Sequence, residues 1–203
     1  MSPRFSTRWL CLAACLGLGN VHFCATRPRA AEPAKTHTVM AGEMKLAVPS
    51  SWVQKKPSNR FRLAQFAVPK TGGDTEDAEL VVFFFGTKDG GNIEPNIHRW
   101  IDQFQPQGRK GKFTSGKCPQ GDYVLVDLRG TWNKPIEPLI EQKTVEMRDA
   151  RVLSLILTIK HQGSYFLRLM GPAKTVSANV DAFRAAIGAD AKSEKDYKVS
   201  EEN

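Results

Sequence analysis

Glu94, His98 and Asp102 are spaced four apart. On a helix they would rise along one side as a carboxylate, imidazole, carboxylate row, which could ligate a divalent metal or pair a base with its orienting acid. That side faces away from the apolar stripe of the same segment, and no second histidine stands nearby to complete a tetrahedral set, so the row reads as surface pairing. Asp74, Glu76, Asp77 and Glu79 follow Gly72-Gly73 and are oxygen ligands of the kind calcium takes. Ala78 breaks the required alternation and no glycine lies inside the loop, so the reading is a solvated loop. Gly90-Gly91 ahead of a helix could cradle a phosphate, but without the Lys-Ser/Thr ending of a P-loop it reads as a turn. His161 and Ser164 lie three apart, and no Gly-x-Ser-x-Gly occurs, which argues against serine hydrolase chemistry.

Three further residues could bind or be modified. Trp132, in Gly130-Thr131-Trp132-Asn133, is a loop aromatic of the type that anchors a protein or a sugar, but packing over a sheet end is the favoured reading. Cys15 closes Leu12-Ala13-Ala14-Cys15, which resembles a lipobox, and is the candidate for lipidation. Cys118, between Lys117 and Pro119, has no histidine or second cysteine near it in sequence and reads as an idle thiol. No catalytic residue, metal ligand or cofactor is assigned, and the chain is expected not to be an enzyme.

The remaining three cysteines, Cys11, Cys15 and Cys24, fall in a stretch that reads as a targeting signal. Arg4 and Arg8 precede a short, mostly apolar run over residues 9–18, followed by small residues, the order of a secretory leader with a core too short to span a bilayer. Residues 1–25 are therefore expected to direct export to the periplasm or beyond, ending in cleavage near Gly19 or Ala25, in lipidation at Cys15, or in an uncleaved anchor. A membrane is expected only through that N-terminus. With one cysteine left outside it, the exported part must fold on its apolar core without an internal disulfide.

Of the formal net charge of +8, two units belong to Arg4 and Arg8, leaving +6. Such a balance suits a protein partner or an anionic envelope surface. The basic residues scatter, with small clusters at Lys55-Lys56, at residues 60–62 and at residues 109–117 that read as solvated loops, and nucleic acid is not an expected partner.

These residues need elements to position them. Residues 26–41, rich in Ala, Pro and Arg, read as a flexible linker, and residues 189–203 as a disordered charged tail. Between them, strands are expected at 44–48, 60–68, 80–85, 123–128, 152–159 and 164–170, with 141–147 a weaker candidate. The 80–85 run is apolar throughout, as in a strand covered on both faces. A helix opens at Asn92 or Glu94 with Ile93, Ile97, Trp100, Ile101 and Phe104 at helical spacing, and a second is capped by Thr175 or Ser177 with Val176, Val180, Phe183 and Ile187 on one stripe. Hairpin-linked strands with segregated helices predict an α+β domain, an antiparallel sheet flanked by helices, over residues 42–188.

Met-Lys-Leu-Ala-Val-Pro-Ser-Ser-Trp at 44–52 resembles the opening strand, proline and tryptophan of the PsbP-like family, whose namesake is an extrinsic subunit of photosystem II. Tyr-Phe-Leu-Arg-Leu-Met-Gly-Pro at 165–172, with Asn179, Phe183 and Ile187 beyond it, resembles that family's last strand and closing helix. The 80–86 strand and the following helix also fit. The resemblance spans residues 42–188 and implies an α/β/α sandwich. It implies no reaction, since such relatives include extrinsic subunits, a Ran-binding nuclear transport factor and exported bacterial proteins of unknown role. A longer loop at 107–121 and a long connection at 132–151 depart from the pattern, and no site residue is carried over. The expected function is an exported, non-catalytic domain that binds a protein or envelope surface; the alternative is a small-ligand carrier or an enzyme whose site is assembled from distant loops.

Overall fold

Long apolar strands dominate the molecule. A computed structural model describes residues 35–86, 92–136 and 143–200. They belong to one compact unit, Ala34–Asn203. In chain order the elements are β1 (Thr36–Ala41), β2 (Met44–Pro49), β3 (Val53–Lys55), β4 (Arg62–Val68), β5 (Ala78–Phe84), α1 (Ile93–Asp102), β6 (Lys110–Cys118), β7 (Gly121–Pro135), β8 (Thr144–Ile159), β9 (Gly163–Pro172), α2 (Ala173–Ala178), α3 (Val180–Ala186) and β10 (Lys195–Asp196).

Eight of these strands form one antiparallel sheet in the order β10-β6-β7-β8-β9-β5-β4-β3, and β1 pairs only with β2. The fold class is α+β, as the segment pattern predicts. Alternation along the central strands divides the core in two. On β7 and β8 the odd-numbered Tyr123, Leu125, Leu153, Leu155 and Leu157 join Val176, Phe183 and Ile187 of the α2–α3 region and Met44, Leu46 and Val48 of β2. The even-numbered Val124, Val126, Val152 and Ile156 face α1 through Ile97, Trp100 and Phe104. Both faces of the sheet are covered there, which is why the run from Val152 to Leu157 can be buried at every position.

Four expectations need correction. Residues 36–41 are not linker: β1 lies in register with β2 from Thr36 opposite Pro49 to Ala41 opposite Met44. Gly42 closes that two-residue hairpin at φ 63°, a left-handed conformation glycine adopts without strain. The Ala- and Pro-rich composition upstream masked the β-branched run Thr-His-Thr-Val. Residues 107–121 are not a loop: β6 pairs with β7 from Lys110 opposite Arg129 to Cys118 opposite Gly121. With Lys, Ser, Thr and Gly along it, β6 carries too little apolar alternation to announce itself. The connection at 132–151 is mostly strand, because β7 runs on to Pro135 and β8 starts at Thr144.

The tail is the fourth. β10 pairs with β6, and the Tyr197 N–H donates to the Phe113 carbonyl at 3.0 Å. What holds this polar segment is the bond from Arg184 to Glu194, with Tyr197 and Val199 packed against the α1 side of the core. The closing helix also comes in two pieces, broken at Asn179. Asn179 Nδ2 donates to the Thr175 carbonyl at 2.8 Å while its Oδ1 accepts from the Trp52 indole at 3.1 Å. An asparagine that binds its own backbone competes with the helix ladder.

Candidate functional site

Trp132, Glu94 and Asp74, which sequence reading singled out, are spent on structure. Trp132 is 1% exposed, its ring lies 6.4 Å from that of Phe104, and its indole N–H donates to Gln103 at 3.4 Å. It packs over the sheet end, as the sequence favoured, and is too buried to anchor a partner. Glu94 accepts from the Tyr197 hydroxyl at 2.6 Å, a bond that holds its carboxyl below the usual range. That carboxylate pins the C-terminal segment rather than serving His98. Among the described residues no three His, Cys, Asp or Glu side chains are grouped to hold a metal.

Asp74 reaches across from its loop to accept from both the backbone N–H and the hydroxyl of Thr175, each at 2.7 Å. The hydroxyl bond is the largest cause of its lowered pKa. It thereby caps the first turn of α2, which Pro172 cannot do with its own side chain. His161 sits at the β8–β9 turn with φ 65°, and the Ser164 hydroxyl lies 3.4 Å from that of Thr158. Cys118 is half-buried and free. Cys15 and Gly90-Gly91 lie outside the described residues.

Two surface features went unread in the sequence. The first is an aromatic strip that begins in the core under α1. Trp100 meets Phe166 edge-on with ring centroids 6.5 Å apart, Phe166 meets Phe85 at 5.5 Å, and Phe85 contacts both Phe61 at 5.8 Å and Phe83 at 6.1 Å. The outer members are open to solvent: Phe61 is 44% and Phe85 38% exposed. Alternation places them, since Phe84 turns to the other face against Tyr165, while Phe83 and Phe85 stay on the α1 side beyond the reach of that helix.

Arginines line this strip. Arg60 lies over Phe61 at 4.8 Å, Arg62 over Phe83 at 5.6 Å, and Arg168 over Trp100 at 5.7 Å. Arg62 also approaches Glu79 at 3.5 Å. Arg168 donates to Ser154 at 3.1 Å and Gln103 at 2.8 Å, both neutral. Burial, with Arg99 nearby, pulls its pKa down to about 10. Among the described residues no carboxylate lies within ion-pair distance of Arg60, Arg99 or Arg168. The one local signal was three phenylalanines in succession at 83–85, since alternation must send some of those rings away from the core; nothing local tied them to Phe61 or Phe166.

The second feature is a cavity of about 520 Å³ at the other end of the α1 face, lined by Ile93, Val124 and Ile156 below and by Ser115, Lys117, Asp122, Thr158, Ser193 and Lys195 around it. Lys117 pairs with Asp122 at 3.1 Å in solvent. Its outer wall is the C-terminal segment, which Glu194 fastens: the carboxylate accepts from Arg184 at 2.7 Å, Thr114 at 3.0 Å and Tyr123 at 3.1 Å. Burial acts to raise the Glu194 pKa, and Arg184 with the two hydroxyls outweighs it, so the carboxyl titrates below its usual range. Burial, then the Glu194 charge, pushes the Tyr123 phenol well above its ordinary value.

No protein-family model and no curated protein matches the chain. Among solved structures it is similar to cyanobacterial PsbP (CyanoP) from Synechocystis sp. PCC 6803, with TM-score 0.44 and 11% identity over 92% of this chain and 99% of that one. It is also similar to PA94 from Pseudomonas aeruginosa, a protein of unknown function, with TM-score 0.41 and 14% identity over 76% of this chain and 95% of that one. Neither supplies a site residue. No helix among the described residues is long and apolar enough to cross a membrane.

Proposed function

We propose that this chain is an exported, non-catalytic binding domain that docks an acidic protein partner on the strip formed by Phe61, Phe85 and the arginines beside them. The observation that carries the reading is the pair of exposed rings, Phe61 and Phe85, in contact at 5.8 Å with Arg60 stacked on the first. Large aromatics and arginine are the side chains that concentrate binding energy at protein interfaces. Arg60 and Arg99, both exposed, supply positive charge not committed to carboxylates among the described residues, which selects for an acidic surface. Support for a non-catalytic role comes from the spent carboxylates: Glu94, Asp74 and Glu194 each hold a segment of chain in place. Export rests on the leader-like residues 1–25.

The test is capture of a partner by the full chain from envelope extract, compared with F61A/F85A and R60E variants. The expected result is an acidic protein retained by the wild type, lost as salt rises, and held about tenfold more weakly by each variant, since central interface truncations cost about 1–2 kcal/mol. Equal capture by wild type and variants, or binding to anionic vesicles alone, would overturn the reading.

A further inference from the structure

The cavity beside the C-terminal segment has the composition of a ligand site and takes no part in the strip. Its volume of about 520 Å³ falls within the range of small-molecule pockets, and such sites combine an apolar floor with a few polar groups that orient the ligand. Here the floor is Ile93, Val124 and Ile156, contributed by α1, β7 and β8. Val124 and Ile156 are almost fully buried from water, at 6% and 2% exposure, so the cavity ends on a packed core.

The rim decides what kind of molecule fits. Asp122, its one acid, is already neutralised by Lys117 at 3.1 Å. Lys195 has no carboxylate within ion-pair distance among the described residues, so the mouth carries one uncommitted ammonium. Ser193 spends its hydroxyl proton on the Asp190 carbonyl at 2.7 Å, and Ser115 lines the same wall. An apolar floor below a mouth with one uncommitted ammonium is complementary to an amphiphile with a single anionic head.

We propose that this cavity binds an amphiphilic carboxylate, its apolar body on Val124 and Ile156 and its head at Lys195. The site is not a free-standing groove, because Ser193 and Lys195 belong to a segment locked down by the buried pair of Arg184 and Glu194, whose side chains are 13% and 4% exposed. The proposal is independent of the strip and does not need an acidic protein to bind there.

The experiment is calorimetric titration of the full chain with decanoate below its micelle concentration, with decanol and decylammonium as matched probes and phosphatidylglycerol vesicles as a lipid-borne anion. The expected result is saturable decanoate binding, with decanol and decylammonium weaker, and no preference for the vesicles. Lys195→Glu should weaken decanoate about three- to tenfold, the scale of one exposed charge contact. Lys192→Glu, the same charge change three residues away outside the cavity, should not. Ser115→Trp, which fills the wall without altering charge, should abolish binding of all three probes. No saturable binding, decanol bound as tightly as decanoate, or equal loss in the Lys192 and Lys195 variants would each overturn the proposal.

Discussion

Arg184 holds the carboxylate of Glu194 with two bonds, Nε at 2.7 Å and Nη2 at 3.0 Å, and so ties the C-terminal segment to α3. This geometry is bidentate and largely desolvated, the arrangement in which removing one partner strands the other charge. Replacing Arg184 with Met should therefore cost about 3–5 kcal/mol in chemical unfolding, and hydrogen exchange should show β10 and the flanking residues released. Unchanged protection at Tyr197 would refute the tie.

The same network sets a pH response with two limbs. Glu194 is held below its ordinary value of 4.5, so its contribution is complete above that pH and is lost as the pH falls through the folded-state value. Tyr123 is raised above its ordinary 10, so its contribution is complete below pH 10 and is lost as the pH rises further. Melting temperature measured against pH should be flat between these limits as far as these groups are concerned. In Glu194→Gln the acid limb attributable to this carboxyl should disappear.

Gly121 follows the β6–β7 turn so close to β8 that an added Cβ would stand 2.1 Å from the Thr158 carbonyl oxygen. Backbone, not a flexible side chain, is what it would meet. Gly121→Ala should destabilise by at least the roughly 1–3 kcal/mol of an overpacked site, read by urea unfolding. The same variant should disturb the cavity wall, since Asp122 and Thr158 both line it.

Trp132 closes the α1 face at 1% exposure, stacked on Phe104. Trp132→Ala should cost about 3–5 kcal/mol and leave partner capture by the surviving folded fraction unchanged. A selective loss of capture at full stability would restore the anchoring role the structure takes away.

Arg168 is the reverse case, a buried cation with neutral partners. Arg168→Met should leave the melting temperature unchanged or raise it, because removing a desolvated charge offsets the lost bonds to Ser154 and Gln103. Acidic-partner binding, which relies on the exposed Arg60 and Arg99, should be unchanged in the same protein. A large drop in stability would make Arg168 a structural residue instead.

The strands whose sequence alternates or runs apolar, such as 44–48 and 152–159, were legible because burial dictates their composition. The α1 stripe of Ile97, Trp100 and Phe104 was legible for the same reason. What stayed hidden was β6, whose Lys, Ser and Gly residues are held by hydrogen bonds to β7 rather than by burial, and the tail, held by Glu194. Trp132 drew a second, partner-anchoring reading because a glycine and polar neighbours surround it, although the register of β7 carries it under α1. The strip and the cavity were illegible for a deeper reason: each is assembled from residues far apart in the chain, Phe61 with Phe85 and Phe166 in one, Ser115 with Ile156 and Lys195 in the other.

The eight-stranded sheet ends in strands of three residues at β3 and two at β10. Rims that short give an incoming chain almost no row of N–H and carbonyl groups to join, and Lys55-Lys56-Pro57 beside β3 discourages it further. At β3 and β10 themselves a visiting molecule is therefore recognised by side chains on the faces rather than by extending the backbone ladder.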